Sequence, residues 1–279
     1  MVEVVFGAMG KLSFKQVDVF TDRPFFGNPV AVVIGAEGLD AERMQRIACW
    51  TNLSETTFLL KSDVADYRLR IFTPREELPF AGHPTIGSAH AAIESGFVEA
   101  KARLTQECGA GIIELGVEAE GIFLRGPPAK VSDVRKTLPF AAKLLRVDVG
   151  PVWVVGEVAD SRKLASLQPD MAALADFSHD VEATGITVFA ASGEKGAAIH
   201  VRSFAPAHGI PEDPVCGSGN LSVAAYLKQT NQTKRFGERY VARQGMQLGR
   251  DGRVSVRIED DGIRIGGRAV TCVEGSLAT

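Results

Sequence analysis

The chain has 279 residues, with 31 Lys and Arg against 34 Asp and Glu for a net charge of −3, and 45% of its residues are hydrophobic. That balance is ordinary for a soluble globular protein, and without a long basic run it implies neither nucleic acid nor an anionic membrane as a partner. Nothing approaches 18 consecutive apolar residues, the opening MVEVVFGAMG lacks a basic segment, and the 4 cysteines and 5 histidines show no metal-ligand spacing; the expectation is a cytoplasmic protein with reduced thiols, no signal peptide and no metal.

Residues 1–12 are assigned no role. Val17–Phe20 and Val30–Ile34 are β-rich runs separated by DRPFFGNP, whose Pro, Gly and Asn are turn formers. Leu39–Trp50 carries Met44, Ile47 and Ala48 at helical spacing after Asp40. Asn52-Leu53-Ser54-Glu55 then leads into TTFLL, a strand by its β-branched and aromatic content, so Glu55 stands at a helix-to-strand junction. Tyr67–Phe72 alternates as a half-buried strand does. The segment from Pro84 to about Ser95 is Ala, Gly, Ser and Ile nearly all round, as a helix enclosed by curved strands should be. Ile112–Arg125 reads as two strands about a Glu-Gly turn, and GPPAK at Gly126–Lys130 punctuates the end of a half.

The remainder repeats this scheme. Val152–Val158 is a strand, Arg162–Asp176 is helical with a break at Pro169, and Ile186–Ala190 and Ile199–Phe204 are strands. A core helix follows from Ser218 to about Lys228. Tyr240–Arg243, Val254–Ile258 and Ile263–Ile265 are short strands broken by Gly-containing turns.

Two stretches match in detail. Arg70–Ala92 reads RIFTPREELPFAGHPTIGSAHAA, and Arg202–Leu227 reads RSFAPAHGIPEDPVCGSGNLSVAAYL. Arg70, Phe72, Pro74 and Gly82 fall over Arg202, Phe204, Pro206 and Gly217 when the second loop is allowed three extra residues. Each stretch is strand, loop, helix. A helix start presents unpaired N–H groups and the positive end of the helix dipole, which makes it an anion site. His83 is read as the N-cap of the first helix, with Pro84 at the first helical position, and Ser218 as the N-cap of the second. Two such halves facing each other would hold a small carboxylate between their helix starts.

The segments VDVFTDRPFFGNPVAVV (Val17–Val33), NLSETTF (Asn52–Phe58), RIFTPREELPFAGHPTIGSA (Arg70–Ala89) and EDPVCGSGN (Glu212–Asn220) resemble, in that order, the phenazine-biosynthesis isomerase-like (PhzF-like) proteins. These share the fold of diaminopimelate epimerase and the proline racemases. The resemblance implies an α+β fold of two pseudo-symmetric domains, each a strongly curved, mostly antiparallel sheet around a central helix. The expected division is 1–130, joined by a returning C-terminal segment 266–279, and 131–265. A homodimer is the default by the same analogy.

Taken alone, Glu55 at an element junction is a cap, a surface residue or a buried acid whose pKa is raised toward neutrality. His83 is a cap or a neutral proton relay, and Asp213 a turn residue or an acid. The resemblance implies that Glu55 transfers the proton, with His83 and Asp213 lining the active site beside it. Gly82, Gly217, Ser218, Cys216 and Asn28 are the substrate-binding candidates, and Gly27 beside Asn28 reads as turn chemistry. Cys216 is expected to line the pocket without serving as an essential acid or base, although helix dipole and exposure could lower its pKa and make it reactive. His90 reads as a core histidine and His208 as a solvated loop residue, while Arg70 and Arg202 pair with acids or with a ligand carboxylate.

These readings converge on a cofactor-independent isomerase that moves a proton within a small carboxylic acid, with no metal, flavin, nicotinamide or pyridoxal motif in the chain. Two rivals remain. One is an amino-acid racemase or epimerase; two-thiol members of the fold carry a Cys before each helix-start Gly, but here Ala81 answers Cys216, so a mixed Glu/Cys pair would be required. The other is a non-catalytic binding protein on the same fold.

Overall fold

The structure, a computed structural model, describes residues 10–279. Residues 1–9, which carry the signal-peptide expectation, lie outside the described residues. Lys11 and Leu12, expected to have no role, begin the first strand.

The first half runs β1 (Lys11–Val19), β2 (Asn28–Ile34), α1 (Ala41–Thr51), β3 (Thr56–Leu60), β4 (Tyr67–Phe72), β5 (Glu77–Leu78), α2 (Gly82–Glu94), β6 (Arg103–Cys108), β7 (Gly111–Glu118) and β8 (Gly121–Arg125). After β9 (Lys130–Asp133) the second half runs β10 (Ala142–Asp148), β11 (Val152–Glu157), α3 (Ser161–Ser166), α4 (Met171–Asp180), β12 (Gly185–Ala191), β13 (Ile199–Ala205), β14 (Ile210–Asp213), α5 (Gly217–Gln229), α6 (Thr233–Phe236), β15 (Arg239–Gln244), β16 (Gly252–Glu259) and β17 (Gly262–Gly267). The last strand, β18 (Ala269–Ala278), returns to pair antiparallel with β1.

The halves share strand register. β2 pairs parallel with β3 and β11 with β12; β3 pairs antiparallel with β4 and β12 with β13; β4 pairs parallel with β6 and β13 with β15. Phe58 faces Arg70 in the first half as Val188 faces Arg202 in the second. Arg70 bonds Glu77 through two nitrogens at 2.7 and 2.6 Å, and Arg202 bonds Glu212 likewise at 2.8 and 2.8 Å. Each guanidinium also lies over a ring two residues on, Phe72 and Phe204. Both arginines therefore answer protein carboxylates, which brace the loops leading to α2 and α5.

One continuous mostly antiparallel sheet wraps both central helices, and the halves are sewn together where β17 pairs with β8. Such a sheet encloses a helix only if the helix is smooth. Nine of the 13 residues of α2 and ten of the 13 of α5 are buried, chiefly Ala, Gly, Ser and aliphatic residues. A Cβ on Gly87 would fall 2.5 Å from Val30 Cγ1 and 2.8 Å from Val19 Cγ2, so that glycine sets how closely α2 approaches β1 and β2. Truncating a fully buried neighbour such as Ile86 to alanine would cost roughly 2–5 kcal/mol, the transfer term plus the cavity it leaves.

Candidate active site

The two central helices touch each other and begin at Gly82 and Gly217. The N-caps are Ala81 and Cys216, which corrects the expectation of His83 and Ser218. Ala81 and Cys216 have extended backbones, and their carbonyls already accept the first helical bonds, from Thr85 and Asn220. Backbone geometry defines a cap, and here the chain turns helical at the glycine that follows the three residues after each preceding strand, Pro79–Ala81 and Pro214–Cys216. His83 and Ser218 are instead the second residue of their helices, and Pro84 is the third rather than the first.

The shift has a chemical consequence. Pro84 has no N–H, and in α5 the corresponding amide, that of Gly219, donates to Cys216 Sγ at 3.2 Å. The amides of Gly82 and His83, and those of Gly217 and Ser218, form no hydrogen bond among the described residues. Each helix start thus keeps two free donors at the positive end of its dipole.

Glu55 ends the loop between α1 and β3, and its Oε2 lies 3.3 Å from His83 Nε2. Both side chains are nearly enclosed, at 16% and 9% exposure. Burial pushes the Glu55 carboxyl up to about 7, opposed by the Ser54 hydroxyl. Burial pushes His83 down to about 4, opposed by the Asp213 carboxylate and by the Pro29 carbonyl that accepts from the ring. A neutral ring donating to Pro29 presents its other nitrogen, Nε2, as an acceptor facing Glu55. At neutral pH the Glu55 carboxyl is then close to half ionised, in the range useful for general acid–base work.

Asp213 closes β14 and is pushed up to about 6, first by burial, with the Glu55 charge adding to the rise and His83 opposing it. Its Oδ1 accepts from Val215 N at 3.0 Å and from Asn28 Nδ2 at 3.2 Å, while Asn28 Nδ2 also donates to the Val215 carbonyl at 2.9 Å. Asn28 belongs to the first half and Asp213 to the second, so this amide ties the halves at the site. Asn28 Oδ1, Glu55 Oε2 and His83 Nε2 are buried without a hydrogen-bond partner among the described residues. Buried polar atoms are ordinarily satisfied, and a polar ligand between the helix starts would satisfy these.

Cys216 is not an activated thiol. It is 4% exposed, and burial followed by the Asp213 charge pushes its thiol well above the ordinary value. The helix dipole acts on this thiol in the opposite sense, but enclosure by protein prevails. Ser218 Oγ lies 3.5 Å from the sulfur and accepts from Trp153 Nε1 at 2.9 Å.

Several supporting residues carry no sequence motif. Gln244 accepts from Cys216 N and from Asn220 Nδ2, and donates to the Asp213 carbonyl. Gln106 donates to Thr85 Oγ1 and accepts from Tyr67. Each glutamine is fully buried on the strand that follows its central helix and holds that helix's fourth residue. His90 bonds Thr271 away from the site, His208 is exposed, and Gly27 donates to Asp18. Two surface cavities, of about 260 Å³ around His200 and about 460 Å³ around His90, touch none of Glu55, His83 or Asp213. No cluster of His, Cys, Asp and Glu able to hold a metal occurs among the described residues.

The family model described as phenazine biosynthesis-like protein matches residues 17–275. Antisense-enhancing sequence 1 of Schizosaccharomyces pombe is 38% identical over 96% of this chain and 99% of its own. Trans-2,3-dihydro-3-hydroxyanthranilate isomerase of Pseudomonas aeruginosa is 34% identical over 89% of this chain and 91% of its own. Among solved structures, a Bacillus anthracis phenazine biosynthesis protein of the PhzF family superposes with TM-score 0.87 at 27% identity, covering 97% of this chain and 100% of that one. A hydroxyproline epimerase from Agrobacterium vitis shares the fold alone, with TM-score 0.69 at 16% identity over 96% of this chain and 92% of that one. The chain belongs to the PhzF-like family and is an isomerase of that family.

Proposed function

We propose that this isomerase acts on a small carboxylic acid without a cofactor, by removing a proton from one carbon and returning it to another through Glu55. The contact between Glu55 and His83 carries this reading: a carboxyl near neutrality, 3.3 Å from a ring nitrogen able to accept, is equipped to take a proton and give it back. Asp213, pushed up to about 6, stands beside them as a second group able to carry a proton. The carboxylate lies between the amides of Gly82 and His83 and those of Gly217 and Ser218, which also stabilise negative charge that develops as the proton leaves. Asn28 keeps Asp213 in place, and Cys216 lines the pocket as a cap.

The two halves, 1–130 with 266–279 and 131–265, are on this reading products of one duplication, a view supported by their matched strand registers and Arg–carboxylate pairs. The proposed homodimer rests on family resemblance alone, and the proposed cytoplasmic location on the scattered, unpaired cysteines. No helix among the described residues is long and apolar enough to cross a membrane.

The test starts with trans-2,3-dihydro-3-hydroxyanthranilate, the compound named for the Pseudomonas aeruginosa relative, and extends to unsaturated amino and hydroxy acids in deuterated water, followed by NMR. A shifted double bond with deuterium at the new carbon supports isomerisation. Deuterium confined to an alpha carbon, with loss of optical rotation, would transfer the chain to the epimerases; no exchange on any acid the protein binds would leave a binding module.

A further inference from the structure

The two halves of the site are built alike but equipped differently. Because Phe58 faces Arg70 as Val188 faces Arg202, Glu55 in the first half corresponds to Gly185 in the second. Ala31 pairs with Thr56 and Val154 with Ile186, so Val30 likewise corresponds to Trp153. Where the first half sets an acid beside His83, the second sets an indole beside Ser218.

A Cβ on Gly185 would fall 2.1 Å from the Phe204 carbonyl oxygen and 2.9 Å from Trp153 Cζ3, so no side chain fits there and the second half has no counterpart of Glu55. The indole is 3% exposed and its N–H donates to Ser218 Oγ at 2.9 Å. An indole N–H only donates, so this bond occupies a Ser218 lone pair and leaves the hydroxyl proton free. Among the described residues its one hydrogen-bonding contact that could accept that proton is Cys216 Sγ at 3.5 Å, which already receives the Gly219 amide.

We propose that Trp153 is a positioning residue that fixes the Ser218 hydroxyl as a hydrogen-bond donor to the ligand's carboxylate. One half of the duplicated site then moves the proton while the other anchors the anion. This inference rests on the carboxylate site proposed above.

The chain contains two tryptophans, and the other, Trp50, is 76% exposed, so Trp50→Phe isolates the signal of Trp153. Acetate, benzoate and 2-aminobenzoate are titrated into that variant by calorimetry, with indole fluorescence and the indole ¹H–¹⁵N resonance followed in parallel. Saturable binding that shifts the Trp153 signal is expected, and Ser218→Ala should abolish the shift. Trp153→Phe should raise the dissociation constant about three- to tenfold, because the Ser218 hydroxyl is kept and only its orientation is lost. Because Trp153 is also packed, benzothienylalanine at position 153, which keeps the shape and lacks the N–H, serves as the second variant and should weaken binding equally. Binding of equal strength with and without the N–H overturns the role of Trp153 alone. If the parent binds none of the three acids, the carboxylate site itself falls, and this inference with it.

Discussion

Asn28 of the first half holds Asp213 of the second: its amide reaches Oδ1 at 3.2 Å from a position 2% exposed. Asn28→Asp would replace that donor with a second carboxylate against a carboxyl already pushed up to about 6. Two buried like charges in contact cannot both ionise, so at least one pKa rises further. A folded-state pKa above the unfolded one contributes stability that is present at low pH and lost as pH rises through the folded value. The variant is therefore expected to match the parent near pH 4 and to lose about 3 kcal/mol by pH 8. Urea unfolding at the two pH values checks this, and an equal loss at both would show that the Asn28 contact is not electrostatic.

What the sequence made legible follows from where each residue's role is determined. Glu55, His83 and Asp213 sit in contiguous motifs, NLSE, GHPT and EDP, whose local chemistry already points to a polar junction, a helix start and a turn. Trp153, Gln106 and Gln244 owe their roles to partners brought near by the fold, and a lone Trp or Gln in a strand carries no such signature. The expected caps differ from the observed ones because polar side chains at 83 and 218 suggest a cap there, whereas the chain becomes helical two residues earlier than those caps imply, at glycine. Strand β10 escaped notice because its register shifts between Ala142 and Leu145 and Lys143 takes a positive φ, which breaks the two-residue alternation.

Glu55→Gln separates function from stability. Removing the proton carrier is expected to lower turnover by roughly 10²–10⁴ while a bound acid is retained. The Glu55 carboxyl rises on folding from the ordinary 4.5 to about 7, so its stabilising contribution is complete below 4.5 and lost as pH rises through 7. Ionised Glu55 then costs the fold roughly 3 kcal/mol, and glutamine, neutral throughout, is spared that cost. Melting curves should coincide at pH 4 and place the variant several degrees above the parent at pH 8. A variant that melts lower than the parent at pH 8 would contradict the burial of this charge.

The same contact fixes the pH profile of turnover. Glu55 must be ionised to remove a proton, so kcat/KM on an identified substrate is expected to rise as pH increases through about 7. His83, held down to about 4, stays neutral across that range and adds no limb of its own. In His83→Gln the rising limb should survive with a lower plateau. A limb that vanishes in that variant would assign the titration to the histidine.

Cys216 decides between this isomerase and an epimerase with a mixed Glu/Cys pair. A thiol that serves as a base must ionise near neutral pH and reach the ligand. Burial and the Asp213 charge hold the Cys216 thiol protonated, and its sulfur is committed to the Gly219 amide. Native alkylation with iodoacetamide should therefore modify Cys49, which is exposed, and leave Cys216 unmodified by mass spectrometry. Cys216→Ala removes an N-cap acceptor and is expected to destabilise the protein by about 1 kcal/mol. Turnover should stay within about tenfold of the parent, against the far larger loss expected for Glu55→Gln. Should alanine at 216 reduce activity by as many orders of magnitude as glutamine at 55, the thiol is the second base and the reaction is an epimerisation.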